Sequence, residues 1–412
     1  MNISYFRPSI GEKEKAAVNA VLSSGWLTTG RAVKEFEGRF AAYLGVPHAV
    51  AVNSCTAALH LALEATGVRQ TDIVLVPTMT FAATAAVVRH LGARPVLVDC
   101  DPVTLCIDPG AVEATARDWS RRGNLKALIP MHYGGQMADM DRLTEVSRRF
   151  GMRVIEDAAH ALPAFLRQGP GHPWRSVGHT APLTCFSFYA NKCITTGEGG
   201  MVVTHSAELA ERIRMMSLHG LSRSAWTRFD GKGSWYYEIM EPGFKYNLTD
   251  VAAAIGLAQL GKADDFWQQR QRIAGSYLAR LAMYSDFLEL HTELNDRKSS
   301  WHLYPIRLRL EQLDIDRAQF MEELKQCGIT CSVHWMPLHL HPYYRRSYGY
   351  RPEDFPIASQ QWPRLVSLPI YPDMTEQELE YVCDSAGSVL RRHAKRRRAA
   401  VAVAQVSADL VL

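Results

Sequence analysis

Apolar residues along the first two-thirds of the chain fall into short blocks that alternate with stretches of helical spacing. Residues 49–53, 73–77, 95–99, 126–130 and 153–157 read as buried strands, and 56–65, 82–91 and 140–150 read as helices between them. Residues 183–188 and 200–204 add two further strands. Strands separated by helices predict a mostly parallel α/β sheet with helices on both faces. Beyond Leu260 the pattern changes. Residues 262–281 predict a long, polar-faced helix (Trp267, Gln271, Ala274, Leu278) able to bridge two domains. A strand over 301–308, a helix over 316–327, a strand over 329–334 and a helix over 375–390 follow. Thr375 opens that last helix as N-cap, with Glu378 three residues on. The expected organisation is a large domain over 1–260, a smaller α+β domain over 261–390 and a basic tail over 391–412.

In parallel sheets of this kind ligands bind beyond the carboxyl ends of the strands, so four strand ends carry candidate chemistry. After the strand 183–188 comes Ser187-Phe-Tyr-Ala-Asn-Lys192-Cys-Ile-Thr-Thr-Gly-Glu-Gly-Gly200. A lysine in a turn is ordinarily a surface lysine; held partly desolvated, it becomes an amine nucleophile of the kind that pyridoxal 5′-phosphate (PLP) chemistry requires. Val154-Ile-Glu-Asp157-Ala-Ala-His160 puts a carboxylate at a buried strand end. That position suits a helix N-cap, or a partner for a protonated pyridine nitrogen. Asn53-Ser-Cys-Thr-Ala-Ala-Leu59 is a strand, a small-residue turn and a helix start, which is either an ordinary capped helix or a phosphate cup. Pro77-Thr-Met-Thr-Phe81 offers a core phenylalanine or an aromatic that stacks on a flat ring.

Composition narrows the class. The chain has 412 residues with 47% hydrophobic and 21% charged residues, a globular balance. It lacks an apolar run of the ~18 residues that a membrane span needs and an apolar leader at its start. The net charge of +4 depends on Arg391, Arg392, Lys395, Arg396, Arg397 and Arg398; without them 40 basic residues face 42 acidic ones. That is a poor footprint for binding nucleic acid. The eight cysteines form no zinc-type pairing, and His339-Leu-His341 has no third ligand at a familiar spacing, so no metal site is expected. Reduced, mostly buried thiols in a cytoplasmic protein are expected.

Taken together and in this order, the motifs resemble those of the DegT/DnrJ/EryC1/StrS family of PLP-dependent sugar aminotransferases. The resemblance covers residues 5–390. It rests on the strand-end motifs above and on Ser24-Gly-Trp-Leu-Thr-Thr-Gly30, Gly243-Phe-Lys-Tyr-Asn-Leu-Thr-Asp250 and Ser332-Val-His-Trp-Met-Pro-Leu-His339. It implies a fold-type-I PLP enzyme in which Lys192 holds the cofactor and moves the proton. Asp157 pairs with the pyridine nitrogen, His160 sits beside the ring hydroxyl and Phe81 stacks on the ring. Cys55, Thr56 and Ser187 form the phosphate cup, and Asn247 reaches the phosphate of the neighbouring subunit in a homodimer with shared active sites.

Trp26, Thr28, Thr29, His219, Trp226, Arg228 and His334 are the candidate substrate residues by the same resemblance. The implied partners are a nucleotide-linked keto-sugar and an amino-acid donor, usually glutamate, with amination at C4 of a 4-keto-6-deoxyhexose. Alternatives are a cyclitol ketone, amination at C3, or a non-catalytic sensor that keeps the fold. Cys55 stands where many relatives have Gly, and Asn191 where Thr is frequent. The stretch 169–179 is longer than a minimal version, and reads either as a wall of the substrate mouth or as a surface excursion.

Overall fold

The computed structural model describes residues 1–222 and 237–395. Its first nine strands are β1 His48–Val52, β2 Asp72–Pro77, β3 Arg94–Val98, β4 Asn124–Leu128, β5 Arg153–Asp157, β6 Phe165–Leu166, β7 Arg175–Ser176, β8 Leu183–Ser187 and β9 Gly200–Thr204. Seven of them make one sheet in the order β1-β9-β8-β5-β4-β2-β3. The contacts among β3, β2, β4, β5 and β8 are parallel, and β9 alone runs against its neighbours β8 and β1. The strand–helix alternation of the sequence is therefore the mostly parallel α/β sheet it predicts.

Two helices that the motif reading passed over seal one end of this sheet. Arg31–Leu44 buries Val33, Phe36, Glu37, Phe40, Ala41 and Leu44, a three-and-four spacing that is plain in the sequence. It packs on β1 and on the helix Asp250–Leu260. Phe36 and Phe40 meet Phe186 and Phe188 at ring separations of 5.2–5.4 Å, so the helix is fastened to the strand that leads to Lys192. Asp250 caps it from a distance in sequence: its carboxylate accepts from the N–H groups of Gly30, Ala32 and Val33 at 2.8–3.2 Å.

The later strands are β10 Leu288–Leu290, β11 Arg297–Lys298, β12 Tyr304–Leu308 and β13 Leu365–Leu368, and β10-β12-β13 is a separate antiparallel sheet. It carries a second hydrophobic core, closed by the helices Arg317–Gln326 and Glu376–Arg392. Both helices open with a capping box: Asp316 with Gln319, and Thr375 with Glu378 as the sequence predicts. The helix Ala263–Leu281 spans both cores. Phe266 packs in the first, and Ile273, Ala274, Tyr277 and Leu281 pack in the second. Its buried stripe lies one position off the predicted one, which leaves Leu278 exposed. The cores do not divide at one point of the chain. Ile3 joins the second, while Leu338, Tyr344, Phe355 and Leu365 join the first.

Two predicted strands need correction. Residues 301–308 begin as a strand only at Tyr304. Trp301 is left-handed at φ 52°, and the N–H groups of Ser300 and Leu303 go to the carbonyls of Gly135 and Gly134 rather than to a sheet partner. Residues 329–334 are not a strand. Ile329 and Ser332 make single bridges, to Ile3 and Ser367, and the chain then leaves the sheet edge as His334 hydrogen-bonds the Ser367 side chain at 2.9 Å. The stretch 169–179 lines no part of the cavity around Lys192 in its own chain; β6 just before it pairs with β7 within it, and β11 lies on the other edge of β6. Arg175 forks onto Asp141 at 2.6 and 2.7 Å and holds it down.

Gly200 marks the closest approach in this frame. A Cβ there would lie 2.5 Å from the Ser54 carbonyl group and 2.7 Å from the Cys55 nitrogen. Gly200→Ala should cost about 1–3 kcal/mol of stability through overpacking. Gly38→Ala, in open space within the helix Arg31–Leu44, should gain about 0.5–1 kcal/mol. Urea unfolding of the two variants checks both signs.

Candidate active site

The carboxyl ends of β2, β5 and β8 and the start of the helix Cys55–Ala65 surround a cavity of about 400 Å³. Ser54 is the N-cap of that helix, its hydroxyl accepting from Ala57 N–H at 3.1 Å. Cys55 and Thr56 supply the first-turn N–H groups, whose partial positive charge lies at the cavity wall. Ser187, the last residue of β8, faces the same space. Phe81 is 59% exposed at the mouth, with its ring 6.4 Å from that of Trp335.

Asp157 is buried at the end of β5. Thr84 donates to one carboxylate oxygen at 2.8 Å and Ala159 N–H to the other at 3.2 Å. Thr80 and Thr84 share a further hydrogen bond of 2.7 Å, which holds Thr84 in place. Burial pushes the Asp157 carboxyl up, against the downward pull of these donors and of the Lys192 charge. Lys192 shares the cavity, and burial lowers its amine to about 8; the nearby Cys55 thiol and Asp157 oppose that shift. Burial drives the His160 imidazole well below its ordinary range, with Lys192 adding to the effect.

These residues fit PLP. A carboxylate served only by neutral donors is suited to a cationic ring nitrogen, a helix N-terminus with Ser187 beside it is suited to a phosphate, and the lysine amine is desolvated. His160 has a buried Nδ1 with no hydrogen-bond partner, so its bonding is incomplete in the protein alone.

The structure thus brings Cys55, Thr56, Phe81, Asp157, His160, Ser187, Lys192 and His334 around one cavity. It does not bring the remaining candidates there within one chain. Asn247 lines a different cavity with Thr29 and Arg214, and donates to the Thr29 hydroxyl at 2.7 Å. The Trp26 indole donates to the Thr29 carbonyl at 3.2 Å, and the Thr28 carbonyl accepts from Asp250 N–H. His219, at φ 57°, is tied by its N–H to the Phe244 carbonyl. Trp226 and Arg228 lie outside the described residues, as do Arg396, Arg397 and Arg398 of the basic tail. His339 spends both ring nitrogens on Thr78 and Ser359, at 2.7 and 2.9 Å. Among the described residues no three His, Cys, Asp or Glu side chains cluster as a metal site, and no helix is long and apolar enough to cross a membrane.

Reading the sequence alone missed Thr84, Trp335 and His302. Thr84 lies three residues past Phe81, in the predicted helix 82–91, where nothing in the sequence marks it. Trp335 follows His334 and stacks on His160 at 5.0 Å. His302 sits in the run 301–308 that looks like a plain strand, where a polar residue between the apolar Trp301 and Leu303 was the available signal.

Comparison with known proteins agrees with this geometry. Residues 8–386 match the model of the DegT/DnrJ/EryC1/StrS aminotransferase family. The spore coat polysaccharide biosynthesis protein SpsC of Bacillus subtilis is 41% identical over 390 residues, 94% of this chain and 97% of SpsC. The PLP form of the putative sugar aminotransferase Spr1654 from Streptococcus pneumoniae superimposes with a TM-score of 0.84 at 31% identity, covering 95% of this chain and 99% of that one. Helicobacter pylori PseC, an aminotransferase involved in the biosynthesis of pseudoaminic acid, gives 0.84 at 27% identity, covering 95% and 100%. A buried lysine and carboxylate in one strand-end cavity of a fold-type-I frame are the groups that a PLP enzyme needs, and the relatives are aminotransferases. The chain belongs to the DegT/DnrJ/EryC1/StrS family, and is a PLP-dependent sugar aminotransferase.

The Lys192 shift has a testable sign. Its folded value, about 8, lies below the ordinary ~10.4 of an unfolded lysine, so the unfolded chain holds the proton more tightly. The penalty on folding is full below pH 8 and disappears as pH rises toward 10.4. In the cofactor-free protein Lys192→Met should therefore raise unfolding free energy by about 2–4 kcal/mol at pH 7 and by much less at pH 10. Denaturant unfolding at the two pH values measures it.

Proposed function

We propose that the protein transfers an amino group from an amino-acid donor, glutamate being expected, to the keto group of a nucleotide-linked sugar, at C4 of a 4-keto-6-deoxyhexose. The observation that carries the reading is that Lys192 and Asp157 share one strand-end cavity beside a helix N-terminus. PLP, when bound, supplies an electron sink that lets the C–H bond at the reacting carbon break. Asp157 keeps the ring nitrogen protonated. Lys192, with its amine lowered to about 8, carries the proton between cofactor C4′ and the substrate carbon near neutral pH. Cys55, Thr56 and Ser187 hold the phosphate, Phe81 covers the ring and His160 sits at the ring hydroxyl. His334, on the cavity wall, contacts the substrate.

The choice of C4 rests on the segment after the lysine, Ile194-Thr-Thr-Gly-Glu-Gly-Gly200, which resembles that of the C4-acting relatives. Thr195 bonds the Phe188 carbonyl at 3.0 Å and accepts from Gly197 N–H at 2.8 Å, a tight turn that sets Glu198 and Gly199 against the cavity. In this reading a change in the turn rotates the nucleotide-anchored sugar and so changes which ring carbon comes to attack distance. Offering a nucleotide 4-keto-6-deoxyhexose and its 3-keto isomer in parallel with glutamate tests this. Amination of the 4-keto compound is expected, and amination of the 3-keto compound alone, located by NMR, overturns it.

The same reading makes the active unit a homodimer in which Asn247 serves the partner's phosphate. In its own chain Asn247 lines another cavity than that of Lys192, and Leu27 and Ile239, in segments bonded to its neighbours, are exposed apolar residues. Lys192→Ala and Asn247→Ala proteins, each inactive, should regain activity when mixed through subunit exchange. A mixture that stays inactive while hybrid dimers are detected by mass spectrometry contradicts the shared site.

A further inference from the structure

Asn247 sits in a clasp of two segments far apart in the chain. On one side its segment lies along the end of β1, through a bridge to Val52 and through Asn53 N–H, which donates to the Tyr246 carbonyl at 2.7 Å. On the other side the turn 25–30 closes over it. Asp250 N–H donates to the carbonyls of Leu27 and Thr28 at 3.2 and 3.3 Å, and the Asp250 carboxylate accepts from Gly30 N–H at 2.8 Å. The Trp26 indole donates to the Thr29 carbonyl at 3.2 Å. A Cβ on Gly30 would lie 2.3 Å from that indole nitrogen, so the turn closes this tightly only with glycine there. The clasp places the Thr29 side chain against that of Asn247, 218 positions away.

The amide of Asn247 is held at both ends. Its Nδ2 donates to the Thr29 hydroxyl at 2.7 Å, and its Oδ1 accepts from the exposed Lys245 ammonium. An asparagine amide is nearly symmetric in shape, so its orientation follows from what its neighbours can give and take. Here the neighbours leave one choice. The single Thr29 hydroxyl proton goes to the Leu248 carbonyl at 2.5 Å, because that oxygen can only accept. Thr29 then meets Asn247 with a lone pair and needs a donor there. Lys245 has protons and no lone pair, so it needs an acceptor. The reversed amide would set oxygen against oxygen at Thr29 and donor against donor at Lys245. Of the two Nδ2 protons Thr29 takes one, and the other is available to a further acceptor.

We propose that Thr29 is a positioning residue for the neighbouring active site: it fixes the amide of Asn247 so that an N–H, and not the carbonyl oxygen, meets the phosphate of the cofactor bound by the partner subunit. This rests on the reading that Asn247 serves that phosphate. A phosphate dianion takes up donors and repels a carbonyl oxygen, so the sense of the amide decides whether Asn247 attracts or opposes it. An amide set in advance needs no reordering when the phosphate arrives. The Lys245 charge on the amide oxygen polarises the group and strengthens its N–H as a donor. Thr29 thereby acts through Asn247 instead of touching the substrate.

The test uses full-length hybrid dimers, purified through two different tags, with Lys192 in one protomer and Lys192→Ala in its partner. PLP fixed by borohydride on Lys192 then reports one site only, and the PLP concentration for half-maximal fixation is the readout. Thr29→Val in the Lys192→Ala protomer should raise that concentration about tenfold. Thr29→Ser in the same protomer, which restores the hydroxyl, should bring it back to within about twofold. Thr29→Val in the Lys192 protomer should not shift it, because the amide it releases serves the other site; a general structural loss would act from either protomer, and a shift from this placement overturns the proposal. Thr29→Ala carries the same expectations should the valine variant fail to fold. If Asn247→Ala in the Lys192→Ala protomer raises the concentration while loss of the Thr29 hydroxyl there does not, the role of Thr29 is overturned and the shared site stands. If Asn247→Ala has no effect, the shared site is overturned, and the proposal with it.

Discussion

The rest of the structure depends on keeping an amine and a carboxylate out of water in one cavity. Lys192 and Asp157 both lose hydration there, and burial is the largest influence on each, lowering the amine and raising the carboxyl. Buried charge of this kind is expensive unless the surroundings are arranged around it. The arrangement is visible in the Thr80–Thr84–Asp157 chain of hydrogen bonds, in the Ala159 N–H, and in the Phe36, Phe40, Phe186 and Phe188 cluster behind β8. Rigid neighbours let the site hold groups at pKa values that free side chains do not have, which suits proton transfer near neutral pH.

The parallel sheet explains why the parts converge. Its strand ends and the N-terminus of the helix Cys55–Ala65 open on one side, so residues 55, 81, 157 and 187, distant in sequence, share one rim. β9 then passes so close beneath the Ser54–Cys55 junction that only glycine fits at position 200. The second core adds what the sheet lacks. Through the helix Ala263–Leu281, Arg270 and the pinned segment 299–303, it delivers His302 to the cavity, and the chain leaving β13's edge delivers His334 and Trp335.

The segments that failed to line the cavity have a common physical character. The turn 25–30 is tied to Asp250, and Asn247 is tied to Thr29, so both belong to the packing at the start of the helix Arg31–Leu44. A resemblance in motif transfers residue identity; whether a residue serves its own cavity or another chain's depends on which surfaces meet.

The sequence by itself determined the α/β frame, because alternating apolar blocks and helical spacing are local properties. It also determined the strand-end placement of Lys192, Asp157, Cys55 and Phe81, since each directly follows a recognisable strand. The Thr375–Glu378 cap was legible for the same reason, being a bond across three residues. Tertiary structure alone decided the rest. Residues 329–334 alternate like a strand but spend their bonds singly on Ile3 and Ser367, partners more than 30 positions away. Thr84 acquired meaning only when β5 brought Asp157 to it, and His302 only when the second core laid it against His160. Pattern along a chain records which face a residue shows, whereas desolvation and hydrogen bonding in a cavity depend on what packs across from it.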